Sequence, residues 1–220
     1  MNQIIYPVNN NETNFKKNTK SNNIRLYKYL LFFSIFIILV CIIIYFFISY
    51  NSYKKQKFSK NLISNFNITT LYSNSTDLSL ERINSYNNYN IPFVIGLIEI
   101  DKISLTYPIL STTTEELLEI SPCRFAGPMP NEIGNLCIAG HNYANNTIFG
   151  KLNYLENGDI IKIYDLSGKS LDYKIYKKEE VPATNTSCTN QDTDGKREIT
   201  LVTCNTLTGN RIIFKCLELS

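Results

Sequence analysis

An uninterrupted apolar run near the amino end constrains this chain more than any other feature. From Tyr29 to Tyr50 there is no charged residue, and Leu, Ile, Phe and Val dominate. As a helix rising about 1.5 Å per residue, the run spans roughly 33 Å, enough for a hydrocarbon core of about 30 Å. A cleaved signal peptide has a shorter apolar region and a small-residue cleavage site, whereas this run closes with Ile48-Ser-Tyr-Asn-Ser-Tyr. We therefore predict a retained transmembrane anchor at residues 29–50.

The anchor divides the 220-residue chain into zones of different composition. Residues 1–28 are rich in Asn and Lys, which predicts a disordered tail. Residues 51–90, crowded with Asn, Ser, Tyr and Lys, are predicted to form a stalk or linker with a helical piece near Asp77 to Asn84. The folded domain is expected in residues 91–220.

The formal net charge of +3 is carried mostly by lysines and arginines that flank the anchor. Such flanks indicate attraction to anionic lipid headgroups, so membrane lipid is an expected partner. No basic stripe with interleaved aromatic residues occurs elsewhere, and nucleic acid is not expected as a partner. Five basic residues precede the run and four follow it, a difference too small to set its orientation.

Residues 91–220 are dominated by short alternating segments separated by turn residues, which predicts mainly β structure. Seven or eight strands in about 130 residues are consistent with a small closed or nearly closed β-barrel with short helices. The predicted elements are strands at Val94–Ile100, Ile103–Leu110, Asn135–His141, Asp159–Tyr164, Ser170–Tyr176, Glu198–Cys204 and Arg211–Leu219, and a helix at Thr113–Ile120.

A cysteine, an arginine and the single histidine of the chain are the candidate chemical groups. Cys204 ends a β-branched strand, and the turn residues after it lead into a strand that begins at Arg211, opposite the thiol. His141 closes another predicted strand, so the three groups are expected at neighbouring strand ends. A thiolate is favoured beside an imidazolium or guanidinium, which predicts Cys204 as a nucleophile.

The other five cysteines have simpler interpretations. Cys41 lies in the apolar run, and Cys137 and Cys216 lie inside strand-like runs, as small hydrophobic residues do. Cys123 and Cys188 are the pair left free for a disulfide. With no C-x-x-C spacing and a single histidine, a zinc site is not predicted.

Several segments together resemble the sortase transpeptidases of Gram-positive bacteria, and the resemblance covers Ile91 to Leu219. The matching segments, in order, are Ile95-Gly-Leu-Ile-Glu-Ile100, Lys102-Ile-Ser-Leu-Thr-Tyr-Pro-Ile109, Ile138-Ala-Gly-His-Asn142, Phe149-Gly-Lys-Leu-Asn-Tyr-Leu-Glu-Asn-Gly-Asp159, Thr200-Leu-Val-Thr-Cys204 and Arg211. Each segment alone is a weak signal, but their shared order and strand context are specific. The amino-terminal anchor fits the same family.

The resemblance implies a closed eight-stranded barrel and a cysteine transpeptidase. Such an enzyme cleaves a Leu-Pro-x-Thr-Gly-like sorting signal after its Thr, through a thioacyl intermediate on Cys204. It then transfers the surface protein to an amine of a peptidoglycan precursor or of another protein. His141 would protonate the departing amine, Arg211 would bind the oxyanion or the substrate backbone, and Thr203 would be a supporting donor.

The resemblance also implies a location and a substrate groove. The barrel would lie outside the cell membrane on a single-pass anchor, with the amino-terminal tail in the cytoplasm. Within Lys177–Glu198, the family's groove-forming loop, Val181, Pro182 and Ala183 are the expected groove residues. Some sortases bind calcium near this loop, and the acidic residues of this chain there are Glu179, Glu180, Asp192 and Asp194. Acidic clusters are usually solvated, so no metal or other cofactor is predicted.

Two other functions stay open. One is a cell-envelope cysteine protease, although in papain-like enzymes the histidine follows the cysteine and a third polar group orients it. The other is a membrane-tethered β-barrel that binds without catalysis, and the reactivity of the Cys204 thiol separates it from the enzymes. The tight connection from Cys204 to Arg211 and the absence of a long lid argue against the pilin-polymerising sortases, and the other classes stay open.

Overall fold

The computed structural model of this chain describes residues 11–72 and 93–219. These residues fall in two compact units, one that ends at Tyr53 and one that begins at Lys54. A single helix, α1 (Asn11–Tyr72), contains the whole apolar run and begins inside the segment predicted to be a tail. It is the one described helix long and apolar enough to cross a membrane. The helical piece expected near Asp77 to Asn84 lies outside the described residues.

The second unit contains eight strands and short helical turns. A four-residue helix, α2 (Glu115–Leu118), lies between the second and third strands, and 3₁₀ turns follow the first, fourth and sixth strands. The strands are β1 (Val94–Ile100), β2 (Leu105–Leu110), β3 (Cys123–Ala126), β4 (Gly134–Ala139), β5 (Ile160–Tyr164), β6 (Ser170–Val181), β7 (Arg197–Cys204) and β8 (Arg211–Glu218).

These strands close into a barrel in the order β1-β2-β3-β4-β7-β8-β6-β5, with β5 returning to β1. Six of the neighbouring pairs are antiparallel, while β2 with β3 and β4 with β7 are parallel. The parallel pairing of β4 and β7 places the carboxyl ends of these two strands side by side. The predicted closed eight-stranded barrel is confirmed.

The barrel core follows from the alternation of apolar residues along its strands. Ile98, Ile138, Leu201 and Phe214 come from four different strands and are fully buried in one cluster. Strand β4 is buried on both faces, because Leu136 and Ile138 point into this cluster while Asn135 and Cys137 are covered from the other side. A strand buried on both faces is a firm support for the residues that follow it.

Three elements differ from the sequence expectations. Strand β3 was missed, because its four residues follow Pro122 and show no alternation long enough to be recognised. Strand β6 continues through Lys177-Lys-Glu-Glu-Val181, whose charged residues are typical of a loop but here pair with β8 at exposed or partly exposed positions. His141 lies two residues beyond the end of β4 instead of inside the strand.

The carboxyl-terminal part of α1 belongs to the same unit as the barrel and contacts it. Leu62 is buried in a cluster with Leu110 and Cys123, and Ser59 is also buried. Lys55 pairs with Glu119 at 2.7 Å, but both side chains are more than 40% exposed, so this ion pair contributes little. A domain that begins at the predicted boundary near residue 91 therefore lacks the apolar contact that Leu62 makes with the barrel.

We expect Leu62→Ala to lower the free energy of unfolding of residues 54–220 by about 2 kcal/mol, since full burial of a leucine is worth about 1.5 to 3 kcal/mol. A fragment that begins at Asn90 should fold, because the main core is intact, but it should lose a similar amount. Urea denaturation measures both, with Phe58→Ala, at an exposed position of the same helix, as the matched control. Equal stability of the Leu62→Ala and Phe58→Ala proteins would show that this contact contributes nothing.

Candidate active site

The thiol of Cys204 and the guanidinium of Arg211 meet at the end of a strand pair. Strands β7 and β8 are antiparallel, and their register places Cys204 directly opposite Arg211. The Arg211 Nη1 donates a hydrogen bond to the Cys204 Sγ. Both side chains are partly exposed, so a molecule from solvent can reach the thiol. A partly exposed thiol beside a cationic group is the environment in which reactive cysteines are found.

His141 comes to the same place because β4 runs parallel to β7. The Gly140 N–H donates to the Val202 carbonyl at 3.1 Å, which continues the pairing by one residue beyond β4. The ring of His141 packs against that of Tyr143, with 5.2 Å between the ring centroids. The backbone is thus bonded to β7 one residue before the histidine, and the His141 ring contacts the ring of Tyr143.

Gly140 allows the close approach that places His141. A Cβ atom on this residue would lie 2.6 Å from the ring of Phe149, which is fully buried in the core. The Phe149 N–H in turn donates to the His141 carbonyl at 3.0 Å. A larger residue at position 140 would force the Phe149 ring or the backbone beside His141 to move.

Asn142 is a positioning residue that the sequence reasoning did not single out. Its Nδ2 donates to the carbonyl oxygen of Cys204 at 2.9 Å, so the residue after the histidine holds the backbone of the thiol-bearing residue. The sequence signal was the position of Asn142 directly after His141, but the partner lies 62 residues away and follows only from the parallel register of β4 and β7.

A cleft of about 300 Å³ brings together most of the predicted site residues. His141, Cys204, Arg211, Thr203 and Ala183 all line it. Apolar side chains from several elements form the rest of its walls. They are Leu118 of α2, Phe125 of β3, Val202 of β7, Ile213 of β8 and Cys188 of the loop after β6. The size and mixed lining suit a peptide side chain beside a reactive group.

The predicted groove residues are placed differently from one another. Ala183 lines the cleft, whereas Val181 packs behind it against Cys188, Val202 and Ile213, and Pro182 is exposed. Thr203 is buried, and its hydroxyl donates to the Gly140 carbonyl at 2.8 Å. This hydrogen bond connects β7 to the segment that carries His141. The Thr203 hydroxyl would have to break it before it could donate to a substrate.

A buried asparagine fixes the loop that forms one wall of the cleft. The Asn135 Nδ2 donates to the carbonyls of Cys188 and Asn190 at 2.9 and 3.0 Å, while its Oδ1 accepts from the Thr200 hydroxyl at 2.8 Å. All the polar atoms of this side chain are thus satisfied inside the protein. Because unpaired buried amides are costly, this network specifies where the loop lies on β4.

The acidic residues considered for calcium are engaged in other contacts or lie on the surface. Glu179 pairs with Lys177 at 2.8 Å, and Glu180 accepts hydrogen bonds from three neighbouring side chains. Asp192 and Asp194 are exposed. Among the described residues there is no group of three or more His, Cys, Asp or Glu arranged to hold a metal ion.

Burial separates the remaining barrel thiols from Cys204. It raises the pKa of Cys123 and of Cys137 to about 12, and it also raises the pKa of Cys188 and Cys216. All four are free thiols, so Cys123 and Cys188 do not form a disulfide in this structure. These thiols stay protonated at neutral pH and are shielded from solvent.

We therefore expect a methanethiosulfonate reagent at neutral pH to label Cys204 before the other four barrel cysteines, because reactivity follows the thiolate and its exposure. Peptide mapping by mass spectrometry identifies the labelled residue. Unfolding in guanidinium should make all five react and serves as the positive control, and Cys204→Ala should remove the fast phase. Equal labelling of a second barrel thiol in the folded protein would contradict this account.

Comparisons with known proteins agree with this geometry. A model of the sortase domain matches residues 98–218, more than half of the chain. Sortase A of Bacillus anthracis is 32% identical over 112 residues, which are 50% of this chain and 52% of that protein, so the match spans about half of that relative's length.

Sortases are among the solved structures that share this fold. A sortase D5 transpeptidase of Clostridium perfringens is 28% identical, with a TM-score of 0.61, over 75% of this chain and all of that one. Sortase A from Corynebacterium diphtheriae is 25% identical, with a TM-score of 0.55, over 67% of this chain and 71% of that one. By its domain match, its strand order and these relatives, the chain belongs to the sortase family, which is known for cysteine transpeptidases.

Proposed function

We propose that this chain is a membrane-anchored cysteine transpeptidase that cleaves an LPxTG-like sorting signal and joins the protein carrying it to an amine. The observation that carries the proposal is the hydrogen bond from Arg211 to the Cys204 thiol, in a cleft that His141 also lines. A nucleophile, a proton carrier and a cation within one peptide-sized cleft are the parts that acyl transfer needs.

In the first half-reaction, the Cys204 thiolate attacks the carbonyl carbon of the substrate Thr. The carbonyl oxygen takes up the negative charge, and the Arg211 guanidinium donates hydrogen bonds to it or to the adjacent substrate backbone. The bond between this carbon and the next backbone nitrogen then breaks, and His141 in its protonated form supplies the proton to the departing amine. The products are a free amino end and a thioester on Cys204.

In the second half-reaction, an incoming amine attacks the thioester carbon. Neutral His141 accepts the proton that the amine loses, the new amide forms, and the Cys204 thiolate leaves. The step is the reverse of the first one with a different amine, so the same three side chains serve both. The proposed acceptors are an amine of a peptidoglycan precursor or of another surface protein.

The anchor supports a position at the cell surface. Helix α1 is a candidate span, and a sorting signal reaches a sortase only on the outer side of the membrane. We propose a single crossing, with residues 1–28 on the cytoplasmic side and the barrel outside. Surface proteins that carry a carboxyl-terminal sorting signal are the proposed substrates.

Product analysis tests the reaction type. The purified chain in detergent is incubated with a sorting-signal peptide, with and without hydroxylamine or a short glycine peptide, and the products are identified by mass spectrometry. Transfer predicts a ligated product whose yield rises with the amine. Cleavage that gives only the hydrolysed peptide with every amine would instead indicate a cell-envelope cysteine protease, and no cleavage by a protein with a reactive Cys204 would favour a binding module.

A further inference from the structure

The loop that joins Cys204 to Arg211 has little packing of its own. Its six residues, 205–210, are closed by backbone bonds between Asn205 and Asn210 at 2.9 Å and from Gly209 to Asn205 at 2.9 Å. Leu207, at the tip, is 93% exposed. None of the six residues is buried, and such a loop is easily displaced, yet this one joins the residue that carries the thiol to the residue that carries the guanidinium.

A single carboxylate on the neighbouring strand contacts the loop at three places. Glu180 lies on β6 opposite Ile212, one position from the pair formed by Val181 and Arg211. Its Oε2 accepts from the Asn205 Nδ2 at 3.0 Å, and its Oε1 accepts from the Thr208 hydroxyl at 2.6 Å and from the Asn210 Nδ2 at 2.9 Å. Two of these donors belong to the residues that directly follow Cys204 and precede Arg211.

We propose that Glu180 is a positioning residue that clamps the loop 205–210 and thereby holds the Arg211 guanidinium against the Cys204 thiol. The inference rests on the proposed roles of these two residues. Glu180 itself does not line the cleft, so it acts through the loop and not on the substrate.

The charge of Glu180 suits this role. A carboxylate accepts stronger hydrogen bonds than a neutral group, and here three side-chain donors converge on one residue. The bonds from Thr208, Asn210 and Asn205 lower the pKa of Glu180, so it is ionised and accepts all three throughout the neutral range. The adjacent Glu179 instead pairs with Lys177 on its own strand.

The matched pair of variants is Glu180→Gln and Glu179→Gln, which remove the same charge from adjacent positions of one strand. With a sorting-signal peptide, Glu180→Gln should lower kcat on the order of tenfold to hundredfold with little change in KM, since small misplacements of reacting groups have effects of this size. Glu179→Gln should match the wild type. Melting temperatures report whether either variant has lost stability.

A second measurement needs no substrate and separates the clamp from the proposed reaction. The rate of iodoacetamide alkylation of Cys204 is followed against pH, because it reports how strongly the guanidinium favours the thiolate. Glu180→Ala should slow alkylation at neutral pH several-fold and move the pH of half-maximal rate upward. In an Arg211→Ala background the same Glu180→Ala change should have no further effect, since the group it positions is gone.

These results distinguish the positioning role of Glu180 from the proposed transfer reaction. If the chain has no transfer activity but Glu180→Ala changes alkylation only when Arg211 is present, the clamp stands and the proposed reaction fails. If Glu180→Ala alters alkylation equally in both backgrounds, or if the wild type cleaves the peptide and Glu180→Gln has the same kcat as Glu179→Gln, Glu180 is not a positioning residue for this pair.

Discussion

Peptide cleavage is expected to fall to background when Cys204 is replaced by alanine, a loss on the order of 10⁶-fold for a catalytic nucleophile. Alanine removes the sulfur on which the proposed thioester forms and should leave the hydrogen bonds of the surrounding backbone intact. The measurement is the initial rate of cleavage of a sorting-signal peptide, together with the melting temperature. Cys123→Ala is the control, because Cys123 is buried in a separate cluster with Leu62 and Leu110.

A Cys204→Ala protein that still cleaves the peptide would show that the reaction does not pass through this thiol. Loss of cleavage with an unchanged melting temperature in Cys204→Ala, beside near wild-type cleavage in Cys123→Ala, is the result we expect.

The second large effect is expected at Arg211. Arg211→Lys keeps the positive charge but loses the planar fork that donates two hydrogen bonds at fixed geometry. Because the loss of one oxyanion donor typically lowers the rate by about 10² to 10³, we expect a decrease of that size in kcat with the fold retained. His141→Ala should be at least as damaging, since in the proposed mechanism this side chain gives a proton in the first half-reaction and accepts one in the second.

Arg197→Lys is the matched control for Arg211→Lys. Arg197 starts β7 at the opposite end from Cys204, where it donates to the Asn131 carbonyl at 2.8 Å and pairs with Glu218 at 3.1 Å. Its replacement should leave kcat within a few-fold of the wild type. Near wild-type turnover in Arg211→Lys would mean that this arginine supplies only charge, and the oxyanion role would be withdrawn.

Local sequence patterns were sufficient to predict the two strands that carry Cys204 and Arg211. The alternating run before Cys204, the turn residues after it and the apolar run from Arg211 predicted β7, β8 and their hairpin, because a strand pair joined by a tight turn is encoded within about twenty residues. The register then set the arginine opposite the thiol, as the structure has it. The eight-stranded barrel followed from the resemblance and was confirmed.

Local patterns could not predict contacts between residues that are far apart in the sequence. Asn142 reaches Cys204 across 62 residues, and Glu180 reaches its loop donors across 25 to 30. Glu180 read as a solvated acidic residue because nothing near it in sequence marks the loop it binds. Leu62, in a segment read as a polar stalk, is buried by residues from β2 and β3. Such partners depend on tertiary packing, which overrides local composition.

The central claim is that Cys204 carries the acyl group between the two half-reactions. It is tested most directly by rapid acid quenching of the chain with a sorting-signal peptide, followed by intact-mass measurement and mapping of the modified residue. We expect an adduct with the mass of the peptide up to its Thr, located on Cys204 and released by hydroxylamine. Cleaved peptide without any adduct on Cys204, or with the acyl group on another residue, would contradict the account.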